Sequence, residues 1–263
     1  MKWTAKKIEA LKGKQKIAML TAYDALTASW VDEADIPVVL VGDSLGMTVL
    51  GYDTTLPVSM DEMLHHTAAV ARGVQKALVV ADMPFMSFQP SIEMGLENAG
   101  RFLKEAQADA VKIEGGAIRV KLIEALVENG IPVLGHIGLT PQSVKAMGGY
   151  RVQGKTSEQA RQLMDDAMAV EQAGAFALVL ECVPAELGER ISSALTIPTI
   201  GIGAGAGCDG QVLVISDLLG LSDKPVPKFV KKYATLSPII KEALAEYKNE
   251  VESGAFPNKE QTY

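Results

Sequence analysis

Eight short runs rich in Val, Ile, Leu and Ala recur along the chain, and a stretch of helical periodicity separates most of them. The runs are 17–23, 37–43, 77–82, 110–114, 132–136, 175–181, 198–202 and 211–216. Residues 59–72, 92–107, 119–128 and 157–173 read as the intervening amphipathic helices. Continuous apolar runs of this length suit parallel strands covered on both faces. Eight βα units in 263 residues fit a closed (β/α)8 TIM barrel of α/β class. A doubly wound open sheet is the alternative, but it usually has fewer strands. The seventh and eighth runs lie too close together for a full helix between them. Residues 4–11 read as a short helix closing the bottom of the barrel. Residues 229–252 read as a C-terminal helix that Pro238 could break. No repeat, low-complexity tract or linker stands out, so residues 1–263 are expected to form one barrel domain with an N-terminal helix and a C-terminal helical extension.

Aromatic residues make up only 5% of the chain, which leaves aliphatic side chains to fill the core, as barrel interiors prefer. The net charge of −7 argues against nucleic acid as a partner. The apolar run at 36–41 is far too short to cross a bilayer. Five lysines in residues 1–14 are not followed by the apolar run that a signal peptide needs. Cys182 and Cys208 are the only cysteines, too few for a disulfide scaffold or a four-cysteine zinc site. A cytoplasmic protein without membrane partners is expected.

The chemistry gathers at the ends of the runs. The second ends on Asp43, the third on Asp82, the fourth on Glu114 with Lys112 two residues earlier, the fifth on His136 and the sixth on Glu181. A barrel's active site lies at the C-terminal face of its strands. Side chains alternate along a strand, so Lys112 and Glu114 share a face. One acid at a strand end is commonly a helix cap or a solvated loop residue. Several acids with a lysine and a histidine at one topological level are expected to form a shared site. Crowded carboxylates call for a cation, and oxygen ligands favour a hard one such as Mg²⁺.

Other signals are weaker. Gly205, Gly207 and Gly210 spell G-x-G-x-x-G, but a strand-like run follows where a dinucleotide site needs a helix. A tight turn with close backbone approach and a mouth loop facing an anion both remain open. Cys182 should point away from the face of Glu181 and is expected to be buried packing. His65 and His66 lie inside a helical stretch, where surface or core positions are commoner than site positions. Lys104, Lys121, Lys145, Lys228, Lys231 and Lys232 read as solvated charges.

Several segments together resemble the ketopantoate (3-methyl-2-oxobutanoate) hydroxymethyltransferase family: Val41-Gly-Asp-Ser-Leu-Gly46, Asp82-Met-Pro-Phe85, Val111-Lys-Ile-Glu-Gly-Gly116, Gly135-His-Ile-Gly-Leu-Thr-Pro-Gln142, Gly148-Gly-Tyr-Arg-Val-Gln-Gly154, Leu180-Glu-Cys-Val-Pro184, the stretch from Ile197 to Gly205 and Asp209-Gly-Gln-Val-Leu-Val214. The order is kept across essentially the whole chain. The resemblance implies a TIM barrel of the phosphoenolpyruvate/pyruvate superfamily. It implies transfer of a hydroxymethyl group from 5,10-methylenetetrahydrofolate to 3-methyl-2-oxobutanoate, giving 2-dehydropantoate in pantothenate biosynthesis. It implies Mg²⁺ on Asp43, Asp82 and Glu114, oxo-acid contacts from Asp43, Ser44, Asp82 and Lys112, and Glu181 as proton acceptor. A homo-oligomer, commonly a decamer, is implied as well. One departure is Ser216, where relatives often carry histidine before the aspartate.

These residue types suit the chemistry. Removing a proton beside a ketone requires stabilisation of the charge that develops on its oxygen, which a metal and a lysine supply. His136 is expected near the substrates, handling protons on the folate nitrogen or orienting a neighbour. Two other readings compete. One is a lyase or mutase of the same superfamily, though no Cys-rich mouth loop is visible. The other is a non-catalytic binding protein, which the presence of both Lys112 and Glu181 argues against.

Overall fold

The computed structural model describes residues 2–223 and 225–263. Eight parallel strands close into a barrel in sequence order. They are β1 (Ile17–Thr21), β2 (Val38–Val41), β3 (Leu78–Asp82), β4 (Ala110–Glu114), β5 (Val133–Gly138), β6 (Ala177–Glu181), β7 (Thr199–Ile202) and β8 (Gly210–Leu213). Helices follow the strands: α1 (Ala5–Glu9) precedes the barrel, and α2 (Ala25–Glu33), α3 (Leu45–Thr48), α4 (Met60–Gly73), α5 (Ile92–Glu105), α6 (Val120–Glu128), α7 (Ser157–Gln172) and α8 (Ala185–Ala194) come after β1 to β6. No helix lies between β7 and β8, as the spacing anticipates. Among the described residues, no helix is long and apolar enough to cross a membrane.

The strand alternation decides what fills the barrel. Ile17 and Met19 of β1, Val38 and Leu40 of β2, Leu78 and Val80 of β3, Leu134 of β5, Val179 of β6, Ile200 of β7 and Val212 of β8 form one buried cluster. Ile8 of α1 belongs to it, so the short N-terminal helix does plug the barrel. A buried side chain of this kind is worth about 1.5–3 kcal/mol. Two residues further along the same inward face come Asp82, His136 and Glu181, while Lys112 and Glu114 follow Ala110. The interior thus changes from aliphatic to charged at its upper layer.

Helix starts follow the sequence. Ser59 caps α4 and Thr156 caps α7, each in a reciprocal capping box, with Glu62 and Gln159 respectively. Gly135 lets α7 approach β5, since a Cβ there would stand 2.5 Å from Val170 Cγ1. The G-x-G-x-x-G segment makes the close backbone approach expected of a tight turn. A Cβ on Gly205 would lie 2.5 Å from Ala185 Cβ, and one on Gly207 would lie 2.6 Å from Glu189 Cβ. Gly210 then opens a strand rather than a helix.

The chain divides into two compact units, residues 1–214 and 215–263. Within the second, α9 (Ile215–Leu218) begins where the eighth run was expected to continue as strand through Ser216. The C-terminal helix α10 spans Leu236–Ser253, so 229–235 are not helical. Pro238 falls in its first turn, where proline's missing N–H has no partner to lose, and no break occurs. Gly254, left-handed at φ 73°, ends it.

Candidate active site

Strand register brings the titratable residues together before any side chain is considered. Asp82 lies beside Lys112 in the β3–β4 pairing, Glu114 beside His136 in β4–β5, and Glu181 beside Gly138 in β5–β6. The side chains then connect. Lys112 Nζ stands 2.7 Å from Asp82 Oδ1, 3.7 Å from Glu114 Oε1 and 3.2 Å from His136 Nδ1. His136 Nδ1 is 3.5 Å from Glu114 Oε1, and its Nε2 is 3.2 Å from Glu181 Oε2. Asp43 joins from β2: its N–H donates to Asp82 Oδ2 over 3.2 Å. All six sequence-chosen residues therefore meet at one end of the barrel, and Ser44 follows Asp43 directly.

Sequence reasoning assigned no role to Gln142, which organises the cluster. Its Nε2 donates to Asp43 Oδ2 (3.0 Å) and to the Met83 carbonyl (2.9 Å), and its backbone N–H donates to Glu114 Oε2 (3.0 Å). Gln89 Nε2 donates in turn to Gln142 Oε1 over 2.9 Å. Tyr23, at the end of β1, was also missed; its hydroxyl lies 2.8 Å from Ser44 Oγ. Neutral loop residues carry no charge pattern to betray them, although Gln142 closes the Gly135–Gln142 segment singled out above. His66 of α4 turns Nδ1 to the Tyr23 carbonyl at 2.6 Å, a structural tie, and His65 is exposed. Cys182 is half-buried rather than buried, with a left-handed φ of 48°. Burial, and then Glu181, raise its thiol to about 11, which leaves it a poor nucleophile.

Electrostatics separate the acids. Burial, then the charges of Asp82 and Glu114, push the Asp43 carboxyl well above its ordinary range. Burial also raises Asp82, against the pull of Lys112. Burial opposes ionisation of Glu114 too, but Lys112 and His136 outweigh it and hold that carboxyl low. Lys112 stays an ammonium: desolvation works against it, and Asp82, Glu114 and Asp43 more than compensate. His136, despite burial and the nearby Lys112, is raised to about 9 by Glu114 and Glu181.

Four carboxyl groups, Asp43, Asp82, Glu114 and Glu181, meet only two basic side chains, Lys112 and His136, and the crowding and burial that raise Asp43 and Asp82 would be relieved by added positive charge. Asp82 Oδ1 meets Lys112 as an ion pair but off the hydrogen-bonding line, so a buried oxygen lone pair remains open. Both features suit a hard divalent cation. Among the described residues, no three His, Cys, Asp or Glu side chains already stand in a metal-holding arrangement. Mg²⁺ does not need three, because it commonly takes one or two carboxylates and fills its shell with water and substrate. The Glu181 side chain keeps 16% exposure against 4% for Lys112, so Glu181 faces the accessible side of the cluster.

A family model described as ketopantoate hydroxymethyltransferase matches residues 2–259. A 3-methyl-2-oxobutanoate hydroxymethyltransferase from Syntrophus aciditrophicus (strain SB) is 56% identical, with 100% of this chain and 97% of the relative covered. One from Carboxydothermus hydrogenoformans is 58% identical over 97% of this chain and 92% of its own length. Among solved structures, a phosphoenolpyruvate phosphomutase from Streptomyces platensis subsp. rosaceus aligns with a TM-score of 0.63 at 16% identity, covering 95% of this chain and 88% of that one. A 2,3-dimethylmalate lyase, of the PEP mutase/isocitrate lyase superfamily, aligns at 0.60 and 16%, covering 100% and 93%. Identities that low establish the barrel type and leave the mutase or lyase reading without support. With a model match over nearly its full length and relatives above half identity, the chain belongs to the ketopantoate hydroxymethyltransferase family.

Proposed function

We propose that the protein transfers a hydroxymethyl group from 5,10-methylenetetrahydrofolate to 3-methyl-2-oxobutanoate, forming 2-dehydropantoate and tetrahydrofolate. The observation that carries the reading is the buried line Asp82–Lys112–His136–Glu181 with Asp43 beside it, which puts cation-holding groups, a fixed positive charge and an accessible carboxylate around one space.

Asp43 and Asp82 would hold Mg²⁺ directly. Glu114, already engaged by Lys112, His136 and the Gln142 N–H, would reach it through water. When bound, the ion supplies Lewis-acid stabilisation of charge on the 2-oxo oxygen. Ser44, by its hydroxyl and backbone N–H, orients the substrate carboxylate, and Tyr23 holds the Ser44 hydroxyl in place. Glu181 takes the proton from C3. Lys112 sets its ammonium where the resulting enolate oxygen gathers charge, and the dry pocket strengthens that interaction. One C–N bond of the donor's methylene bridge opens, water adds to that carbon, and the second C–N bond breaks as the nitrogen takes a proton, so that tetrahydrofolate departs and leaves the carbon at the oxidation level of formaldehyde. C3 of the enolate adds to this carbon, and the oxygen that water supplied takes up the proton removed from C3 and becomes the new hydroxyl. His136, between Lys112 and Glu181, orients Glu181 and serves proton movement at the donor nitrogen.

The test is deuterium exchange at C3 of 3-methyl-2-oxobutanoate, followed by turnover with the folate donor. Glu181→Gln should keep oxo-acid binding within a few-fold and slow exchange about 10²–10⁴-fold, the usual worth of a general base. Exchange at the unmutated rate in that variant would remove Glu181 from the role. By the family resemblance the protein acts in the cytoplasm as a homo-oligomer, with a homodecamer the expected form; light scattering on the eluting protein reads the mass.

A further inference from the structure

We propose that Tyr150 is a specificity residue for the folate donor, its ring and Met47 forming the platform that holds the donor's flat aromatic part over the carboxylate cluster. The inference rests on the functional reading above and extends it to a segment, Gly148–Gly154, that the chemistry of the oxo acid leaves unused.

The loop is placed by its ends. It leaves β5 after the Gln142 turn, where the Gly149 N–H donates to the Val144 carbonyl over 3.0 Å. It returns to β6, where the Gln153 N–H donates to the Cys182 carbonyl over 2.8 Å, one residue past Glu181. Gly148 and Gly149, with φ of 70° and 113°, provide the left-handed turn that throws Tyr150 outward. Tyr150 then reaches Met47 of α3, its hydroxyl 3.7 Å from the sulfur. Met47 follows β2. Tyr150 follows β5, three places from β2 in the ring of eight, so this contact reaches across the mouth. The Tyr150 hydroxyl feels the site below it: burial first, then Asp43, Glu181 and Glu114, raise its pKa.

The chemistry of the bridge suits one substrate and not the other. A small oxo acid is satisfied by Lys112, Ser44 and the cation, all lower in the pocket. It offers no flat surface for a ring to cover. Beneath the cluster the interior is closed by Leu134, Val179 and Leu40, so the one-carbon donor must come from the mouth side. There it meets Tyr150, 52% exposed, and Met47, 40% exposed. Aromatic rings pair with rings and with thioether sulfur, and the donor carries both a bicyclic ring and an aminobenzoyl ring.

The experiment compares Tyr150→Ala and Tyr150→Phe in the full-length protein. It measures KM for the donor, KM for the oxo acid, calorimetric Kd for tetrahydrofolate, and C3 exchange without donor. Tyr150→Ala should raise the donor KM and the tetrahydrofolate Kd about five- to thirty-fold, as loss of a stacking partner does. Tyr150→Phe, which keeps the ring, should stay within about two-fold, and exchange should hold within about two-fold in both. Met47→Ala should show a smaller rise in the same two constants. Unchanged donor constants in Tyr150→Ala would overturn the assignment. So would a parallel loss of exchange, or a Tyr150→Phe as impaired as Tyr150→Ala, since either makes Tyr150 a general latch. Unmutated protein that exchanges C3 but passes no hydroxymethyl group from the donor would refute the functional reading itself; normal transfer with an unaffected Tyr150→Ala refutes only the platform.

Discussion

Replacing Gln142 with alanine should weaken metal holding while sparing base chemistry, because Gln142 is bonded to one side of the cluster only. Its side chain donates to Asp43 Oδ2 and the Met83 carbonyl and accepts from Gln89, while its bond to Glu114 comes from backbone N–H and survives the substitution. A hydrogen bond to a charged group contributes about 1.5–3 kcal/mol and a neutral one about 1 kcal/mol. Gln142 is itself buried, so the full loss could reach about 5 kcal/mol; water entering from the mouth should hold it to about 2–4 kcal/mol. Urea denaturation reads that figure. Asp43, stripped of its side-chain donor, should then hold Mg²⁺ about 10–100-fold less tightly, the usual effect of removing an outer partner of a metal ligand.

The assay is calorimetric Mg²⁺ titration beside C3 exchange at rising Mg²⁺. Exchange should approach the unmutated rate once the ion saturates, because Glu181 and His136 are untouched. If stability falls as expected but Mg²⁺ affinity stays within two-fold, Gln142 does not set the state of Asp43 and the reasoning fails. An exchange rate that stays low at saturation would mean that the whole cluster has collapsed.

Chelation of divalent ions with EDTA should abolish turnover and C3 exchange together, with Mg²⁺ or Mn²⁺ restoring both; full turnover after chelation would remove the metal from the mechanism. At the opposite end of the barrel, Asp209 Oδ2 accepts from Lys12 Nζ (2.7 Å), Ser192 Oγ (2.9 Å), Thr199 N–H (2.9 Å) and Thr199 Oγ1 (3.0 Å). Burial would raise that carboxyl, but Lys12 and the Thr199 and Ser192 bonds lower it. Its stabilisation is thus complete above the unfolded pKa of about 4 and is lost as pH falls through the lower folded value. Asp209→Asn should cost about 2 kcal/mol at neutral pH and progressively less in acid, which urea midpoints across pH 2–7 would show; an equal cost at every pH would refute the linkage. Gly210→Ala should destabilise by more than about 3 kcal/mol, because the new Cβ would lie 2.4 Å from the Ile17 carbonyl in the β8–β1 seam that closes the barrel. An unchanged melting temperature would contradict that contact.

The barrel was readable because its interior obeys a strict rhythm. Leu78 and Val80, or Ala177 and Val179, alternate inward, and the acid at the next inward place, Asp82 or Glu181, announces the mouth. The same rhythm made Lys112 and Glu114 neighbours on paper and in space. What stayed hidden depends on tertiary contact rather than period. Gln142 and Tyr23 matter through single hydrogen bonds to distant residues, and neither breaks a pattern where it stands. The end of β8 was misjudged because Ile215 is apolar enough to extend a strand, yet it opens α9. The start of α10 was misplaced because 229–235 share helix-compatible composition, and only the structure shows Leu236 beginning the helix.

The separation of roles across the mouth follows from barrel closure. Asp43 and Glu181 come after strands four apart in a ring of eight, which is the greatest separation the fold permits. On the proposed mechanism, a base placed beside Asp43 and Asp82 would be drawn onto a cation held there, and its lone pair would be lost to coordination. Glu181 escapes that fate by distance. It is still not isolated, because Lys112 and His136, from the strands between, link Asp82 to Glu181 through contacts of 2.7, 3.2 and 3.2 Å. On the same mechanism the substrate would lie across this line, its oxo oxygen toward the acids after β2 and β3 and its C3 toward β6. Moving the base to the β3 end should therefore fail even with the same residue inventory. A Glu181→Ala variant that also carries Gln142→Glu, whose carboxylate would sit beside Asp43 and the Met83 carbonyl, should not regain C3 exchange; recovery there would show that the span of the barrel does not divide the two roles.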